Sequence, residues 1–190
     1  MKIIETNILG LKILKPRVFE DTRGKFIKTF NNDFFIEFGL DINIKEIYYS
    51  ISHKDVIRGM HFQTPPFEHI KLVYVPAGKI IDVVLDIRKN SPTFGQHVAV
   101  ELSGENKKQL LIPRGFAHGF VVLEDDTVFA YKVDNYYSPE CDRGITFDDK
   151  NLNIDWILNH NELNLSAKDT KQPKLNETND LFEFGVDYYA

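Results

Sequence analysis

The chain has 190 residues, of which 43% are hydrophobic and 13% aromatic, and its formal net charge is −5. This length and composition exclude a disordered or fibrous protein and favour one globular domain with a sizeable core. The acidic balance gives no reason to expect a nucleic-acid partner, and no apolar run is long enough to span a membrane. We therefore expect a cytoplasmic protein without membrane segments.

The single cysteine, Cys141, lies in a polar stretch between two acidic residues. It has no internal partner for a disulfide, which suits a reducing compartment. The neighbouring carboxylates oppose formation of a thiolate, so we do not expect Cys141 to act as a nucleophile.

The first forty residues predict short strands and one short helix. Residues 3–19 alternate loosely and predict one or two strands, residues 20–24 a turn, and residues 25–30 another strand. An Asn/Asp start, an aromatic face and a closing glycine predict a helix over residues 31–39.

The middle of the chain predicts one strand after another. Turn residues interrupt the pattern about every 8 to 12 residues without a helical period between them, which is typical of an antiparallel sandwich or barrel. After residue 139 this regularity ends, and the polar tail predicts a wrapping segment with little structure of its own. The predicted strands include 42–52, 70–75, 80–87, 97–102, 109–112, 121–123 and 127–133.

Arg58, His61 and Lys71 fall within fourteen residues in this strand-rich region. Strand alternation places His61 and Gln63 on one face, and Lys71 on the same face as Val73. Burial of these cations is costly without an anionic partner, so the cluster predicts a site for an anionic ligand. The alternative is a hydrogen-bonded core histidine beside a lysine whose stem is buried and whose ammonium reaches water.

A second motif, which ends in His118, resembles the later of the two motifs of cupin barrels, where the histidine is usually a metal ligand. The earlier cupin motif has two histidines, and here Gln63 takes the place of the second. A divalent metal held by His61, Glu68 and His118 is therefore an alternative. The lost imidazole and the nearby charge of Lys71 favour a site without a metal.

These motifs belong to a longer series that occurs in a fixed order along the chain. They are 58–63, the run that begins at Lys71, 86–95, 113–120, 131–132, 137–139, 154–156 and 165–169. Together, over about residues 5–175, they resemble the dTDP-4-dehydrorhamnose 3,5-epimerase family. The resemblance implies an all-β, metal-free cupin jelly-roll barrel with short peripheral helices and a C-terminal wrapping segment.

The resemblance also implies how the chain is organised. Residues 1–190 would form a single epimerase domain, with the jelly-roll core at about 40–140 and a C-terminal extension at about 150–190. The domain would form a homodimer by exchange of N-terminal strands. No cofactor is implied.

The activity implied is inversion at C3 and C5 of a nucleotide-diphospho-4-keto-6-deoxysugar. In the family, the residue at the place of His61 is the general base and that at the place of Tyr137 the general acid. The aspartate matching Asp169 orients the histidine, and the lysine matching Lys71 faces the developing oxyanion. The chemistry agrees, because a C–H beside a ketone becomes acidic only when its enolate is stabilised.

Other family positions surround the diphosphate and the sugar, and Arg23, Arg58, His118 and Lys168 match residues that contact them. Arginine suits phosphate because its fork of donors matches the phosphate oxygens. At several further positions the chain departs from the family. Lys28 stands in place of a glutamate, Glu46 and Tyr48 in place of a Gln-x-Asn motif, and His69 in place of a glutamine.

Because these departures exchange hydrogen-bond donors and acceptors, they leave other substrates open. One alternative is a related epimerase, for C3 alone or for both carbons, that acts on a GDP- or CDP-linked 4-keto hexose or heptose in capsule or lipopolysaccharide synthesis. Another is a 3,4-ketoisomerase of the same fold. A non-catalytic sugar-nucleotide-binding cupin is the third, although binding alone needs no acid opposite a base.

Overall fold

The computed structural model describes residues 1–40, 42–157 and 163–188, and the elements below lie in these ranges. The helix α1 is Asn32–Glu37, and two short 3-10 turns are Asp169–Lys171 and Leu175–Glu177. The strands are β1 Lys2–Glu5, β2 Lys12–Lys15, β3 Val18–Asp21, β4 Gly24–Ile27, β5 Glu46–Ser52, β6 Ile57–Gln63, β7 Lys71–Ala77, β8 Lys79–Asp86, β9 Arg88–Lys89, β10 His97–Ser103, β11 Gln109–Ile112, β12 Phe116–Val122, β13 Thr127–Val133, β14 Asp142–Gly144 and β15 Phe182–Glu183.

Two antiparallel sheets form a jelly-roll barrel, as predicted. One sheet has the order β1-β2-β11-β7-β13-β5 and the other the order β10-β8-β12-β6-β14. The main core lies between them, and it draws Val73 and Phe129 from the first sheet and Val84 and Phe120 from the second. Alternation along the strands supplies these side chains, since every second residue faces the partner sheet.

The outer face of each sheet is covered in part. Leu72 and Leu111 of the six-stranded sheet pack against Phe35 of α1. Val83 and Val121 of the five-stranded sheet lie in a cluster with Ile145 and with apolar side chains from the C-terminal extension, which include Leu152, Trp156, Leu175 and Phe182. The extension therefore stabilises the fold by burying apolar surface.

The C-terminal extension is more ordered than the prediction of a polar tail implied. Its two 3-10 turns follow one another, and β15 pairs in parallel with β9. The sequence pattern misses this because isolated apolar residues such as Leu175 and Phe182, rather than a periodic run, anchor the segment. Residues 158–162 and 189–190 of the extension lie outside the described ranges.

The N-terminal hairpin β3-β4 has a tighter turn than the predicted span of residues 20–24. The strand continues to Asp21 and resumes at Gly24. The Asp21 carboxylate accepts bonds from the backbone N–H and the guanidinium of Arg23, and Gly24 has a φ of 121°. Glycine adopts this left-handed conformation without steric cost, so a two-residue reversal suffices.

The predicted helix is confirmed, and its start follows the expected chemistry. The side chain of Asn31 caps α1 by accepting a hydrogen bond from the backbone N–H of Phe34. Within the described residues, no helix has the length and apolar character needed to cross a membrane.

Candidate active site

A cavity of about 790 Å³ opens between the two sheets. Strands β5, β6, β7, β12 and β13 contribute its walls, and the segment around the first 3-10 turn closes one side. Nine of the predicted site residues line this cavity: Glu46, Tyr48, Arg58, His61, Lys71, His118, Tyr137, Lys168 and Asp169.

A short polar contact in the cavity joins His61 to Asp169. The Nε2 atom of His61 lies 2.5 Å from Oδ1 of Asp169, and the Asp169 side chain is only 3% exposed. Burial alone would raise the pKa of this carboxyl, but hydrogen bonds from His61, Ser166 and the Gly59 backbone outweigh it and lower the pKa. An ionised Asp169 orients the imidazole and stabilises its protonated form.

Lys71 enters the cavity from the first residue of β7. Its face is the predicted one, because Val73 and Val75 of the same strand lie in the core between the sheets. The Lys71 ammonium donates a 3.3 Å hydrogen bond to the backbone carbonyl of His61. Burial lowers the pKa of Lys71 to about 8, although the carboxylates of Asp82 and Asp142 oppose this shift.

A second histidine–aspartate pair lies beside the first. His118 on β12 is the cross-strand partner of His61 on β6. Its Nε2 lies 2.9 Å from the carboxylate of Asp82, and both side chains are almost fully buried. Burial lowers the pKa of His118, although the Asp82 carboxylate opposes this shift. The second pair therefore places an uncharged imidazole at the bottom of the cavity.

Two stacked tyrosines form another wall. Tyr48 and Tyr131 are cross-strand partners on β5 and β13, and their ring centroids are 4.8 Å apart with an interplanar angle of 20°. Tyr131 also contacts Phe129 and the ring of His118. Burial raises the pKa of Tyr131 well above its usual value, whereas the charge of Arg58 acts in the opposite direction. Tyr131 therefore keeps its proton near a cation that would stabilise the phenolate.

Tyr137 lies at the rim of the cavity and is 60% exposed. Its hydroxyl donates a 2.9 Å hydrogen bond to Oδ2 of Asp142, and the same oxygen accepts from the ammonium of Lys168. This bond and the negative charge of Asp142 raise the pKa of Tyr137. Its backbone N–H donates to Glu46 at 3.1 Å, so the rim tyrosine is held at two points.

Gln63 fixes the loop that carries Tyr137. Its amide nitrogen donates to the carbonyl of Tyr136 at 2.9 Å, and its oxygen accepts from the N–H of Ser138 at 2.6 Å. The same nitrogen lies 3.0 Å from Nδ1 of His69. Burial lowers the pKa of His69 to about 3, so this histidine is neutral near pH 7.

Two predicted site residues do not reach this cavity. Arg23 lies at the turn of the β3-β4 hairpin, where it pairs with Asp21 at 2.7 Å and its side chain is 88% exposed. Lys28 follows β4 and is also exposed. Neither residue is among those that line the cavity of the same chain.

The side chains of the alternative metal site are engaged elsewhere. His61 and His118 each pair with an aspartate, and a Glu68 carboxylate oxygen lies 3.9 Å from Arg114. Within residues 1–40, 42–157 and 163–188, no group of three or more histidine, cysteine, aspartate or glutamate side chains could hold a metal ion.

Sequence reasoning missed three cavity-side residues: Asp82, Tyr131 and Asp142. Asp82 lies in the β-branched run 80–87, where an acidic residue on the face of Ile80 and Val84 was the available signal. Tyr131 follows Phe129 at strand spacing and faces the same interior. Asp142 belongs to a polar loop in the sequence, and only the pairing of β14 with β6 brings it to the cavity.

Comparisons with known proteins agree with this geometry. Residues 5–177 match the family model described as dTDP-4-dehydrorhamnose 3,5-epimerase. A dTDP-4-dehydrorhamnose 3,5-epimerase from Shigella flexneri is 47% identical over 175 residues, which cover 92% of this chain and 96% of that protein. The Legionella pneumophila dTDP-6-deoxy-D-glucose-3,5-epimerase, solved with dTDP-4-keto-L-rhamnose, is 43% identical with a TM-score of 0.93 and coverage of 97% and 99%.

A more distant solved structure bears on the choice between Tyr131 and Tyr137. ChmJ, a 3'-monoepimerase from Streptomyces bikiniensis, was solved with dTDP as a His-to-Asn, Tyr-to-Phe double mutant. It is 26% identical, with a TM-score of 0.88 and coverage of 95% and 92%. Its two mutated positions are 70 residues apart. In the present chain His61 and Tyr131 have the same separation, 131 − 61 = 70.

Proposed function

The chain belongs to the dTDP-4-dehydrorhamnose 3,5-epimerase family, and on this premise we propose that it inverts C3 and C5 of a dTDP-linked 4-keto-6-deoxysugar. It is an isomerase whose substrate is a nucleotide sugar. The observation that carries the proposal is the His61–Asp169 pair, which shares one cavity with a buried lysine and a protonated tyrosine.

Inversion begins with removal of a proton from the carbon beside the ketone. His61 is the base, since its Nε2 bond to Asp169 orients the ring and stabilises the imidazolium that forms. Lys71 stabilises the enolate oxygen, because a buried ammonium is a strong counter-charge in a dry site. The C–H electron pair becomes the enolate, and the proton resides on His61.

A proton from the opposite face of the ring then completes the inversion. The sequence predicts Tyr137 as this acid, and Tyr137 remains a candidate at the rim. Tyr131 is the candidate we favour, because its ring is held between Tyr48 and Phe129 and contacts His118, which pairs with His61 across the strands. The nearby charge of Arg58 stabilises the phenolate left behind, whereas the Tyr137 proton is already donated to a carboxylate.

We assign Arg58 and Lys168 to the diphosphate, because both are cations that line the cavity. Glu46, Tyr48 and His118 line the same cavity, and we assign them to contacts with the sugar or the nucleobase. Burial and the carboxylates of Glu46 and Asp142 raise the pKa of Tyr48 to about 12, so its phenol acts as a neutral donor.

We also propose that residues 1–190 work as one epimerase domain. The core at about 40–140 supplies His61 and Lys71, and the extension at about 150–190 supplies Lys168 and Asp169. The base and the carboxylate that orients it thus come from different parts of the chain.

A homodimer that exchanges N-terminal strands would explain the position of Arg23 and Lys28. Strand β5 is an edge of the six-stranded sheet, and it exposes Ile47, Tyr49 and Ile51 on one face. Such an apolar edge is typical of an interface. A partner hairpin placed there would bring Arg23 and Lys28 to the cavity of the neighbouring chain.

Deuterium incorporation tests the reaction and its substrate together. The purified protein is incubated in D2O with dTDP-4-keto-6-deoxyglucose and, in parallel, with GDP- and CDP-linked 4-keto sugars, and proton NMR follows C3 and C5. With the dTDP substrate we expect the C3 and C5 proton signals to disappear. With the His61→Asn variant we expect both signals to remain. Exchange with another nucleotide alone would refute the dTDP assignment, and appearance of a 3-keto product would favour the ketoisomerase.

A further inference from the structure

The carboxylate of Asp142 has two partners at the rim of the cavity, and the proposed mechanism gives Asp142 itself no role. Its Oδ2 accepts from the Tyr137 hydroxyl at 2.9 Å and from the Lys168 ammonium. The Asp142 side chain is 11% exposed and that of Lys168 is 45% exposed, so the bonded carboxylate is the more buried member. All three side chains line the cavity.

An acidic group here is unexpected beside a site for a diphosphate. The Asp142 carboxylate repels an anionic ligand. It also forms an ion pair with the Lys168 ammonium, which the ligand would otherwise bind. Asp142 cannot move far, because it lies on β14, whose backbone pairs with Gln63 on β6. Lys168 has a long, flexible side chain and is the partner that can exchange.

Lys168 directly precedes Asp169, which begins the 3-10 turn and bonds to His61. The Asp142–Lys168 bond therefore ties the C-terminal extension to β14 one residue from the carboxylate that orients the base. Loss of the Asp142–Lys168 bond would free the Lys168 ammonium for the ligand. It would also leave the neighbouring Asp169 less firmly positioned. These two effects change binding and catalysis in opposite directions.

We propose that Asp142 is a positioning residue that holds Lys168 beside Asp169 and competes with the substrate diphosphate for the Lys168 ammonium. The inference rests on the proposed role of Lys168 in diphosphate binding. Asp142 thus weakens binding of the substrate in the ground state and favours turnover. This raises the rate when the substrate concentration exceeds KM.

The test compares Asp142→Asn with Glu140→Gln, which removes the charge of an exposed acid two residues earlier. The Kd for dTDP is measured by calorimetry, and kcat by coupled turnover of dTDP-4-keto-6-deoxyglucose. For Asp142→Asn we expect dTDP to bind about two- to five-fold more tightly, the range of an exchanged, partly exposed ion pair. We expect kcat to fall in the same variant and both quantities to be unchanged in Glu140→Gln.

A double-mutant cycle identifies the route. In a Lys168→Met background, Asp142→Asn should leave the Kd for dTDP unchanged, since there is no ammonium to release. Tighter binding in that background, equal effects in Glu140→Gln, or an unchanged Kd in Asp142→Asn would each overturn the inference. If Lys168→Met alone left the Kd for dTDP unchanged, the error would lie in the proposed role of Lys168.

Discussion

Nε2 of His61 lies 2.5 Å from Oδ1 of Asp169, although the two residues are separated by 108 positions in the chain. His61 lies on a strand inside the barrel, whereas Asp169 begins a 3-10 turn in the extension. The extension reaches this position because its apolar side chains cover the outer face of the five-stranded sheet. Packing far from the cavity therefore determines the geometry of the proposed base, His61.

Replacement of this carboxylate should impair chemistry more than folding. We expect Asp169→Asn to lower kcat by about 100-fold or more, because the amide no longer stabilises the imidazolium and can hold the wrong tautomer. Lys171→Gln changes an exposed residue of the same 3-10 turn and is the control. Exchange at C3, followed by proton NMR in D2O, is the measurement. An Asp169→Asn enzyme with wild-type kcat would show that Asp169 does not support the base.

Lys71 predicts the alkaline limb of the pH profile. Its pKa is about 8 in the free enzyme, so the ammonium is present below that pH and is lost as the pH rises through it. Since only the charged form stabilises the enolate, kcat/KM should fall above about pH 8. Lys71→Met should reduce kcat/KM at every pH and remove this limb. A limb that persists in Lys71→Met would have to come from another group.

The two candidate acids can be separated by their phenylalanine variants. We expect Tyr131→Phe to allow removal of the proton by His61 while inversion falls by about 100-fold or more, the scale of general acid catalysis. Tyr137→Phe should lower inversion by less than about ten-fold, because its hydroxyl bonds to Asp142 at the rim. Washout of deuterium and formation of epimer are measured in the same sample. The reverse ranking would return the acid role to Tyr137.

The dimer proposal predicts complementation between inactive subunits. An Arg23→Ala subunit retains His61, and a His61→Asn subunit retains Arg23. If Arg23 acts in the neighbouring cavity, mixed dimers contain one complete site, and an equal, fully exchanged mixture should recover about a quarter of wild-type activity. If Arg23 acts within its own chain, the mixture has no complete site and stays at the level of the separate variants.

Disruption of the exposed face of β5 tests the same interface by mass. Tyr49→Lys places a charge at a side chain that is 66% exposed in the isolated chain. We expect light scattering to show a shift from dimer to monomer, together with reduced activity. Glu101→Lys, which changes an exposed residue on β10 of the other sheet, should leave the mass unchanged. A Tyr49→Lys protein that stays dimeric would exclude this face as the interface.

The sequence by itself determined the strand pattern, and its family resemblance determined the jelly-roll class and predicted nine of the residues that line the cavity. Alternation was sufficient to place Lys71 on the face of Val73 and Val75, because strand geometry has a fixed period of two. Ordered motifs identified His61 and Asp169. The same reasoning could not find Asp142, whose loop residues have no periodicity. It named only Tyr137 as the acid, because the hydrogen-bond partners of tyrosine hydroxyls are invisible in a sequence.

Only the tertiary structure decided which groups share a hydrogen bond. The pairing of β14 with β6 brings Asp142 to the rim, and the pairing of β12 with β6 sets the two histidine–aspartate pairs side by side. The packing of the C-terminal extension brings Asp169 to His61. These contacts join residues far apart in the chain, and they depend on which distant strands pair and on how the extension packs, which local sequence patterns do not encode.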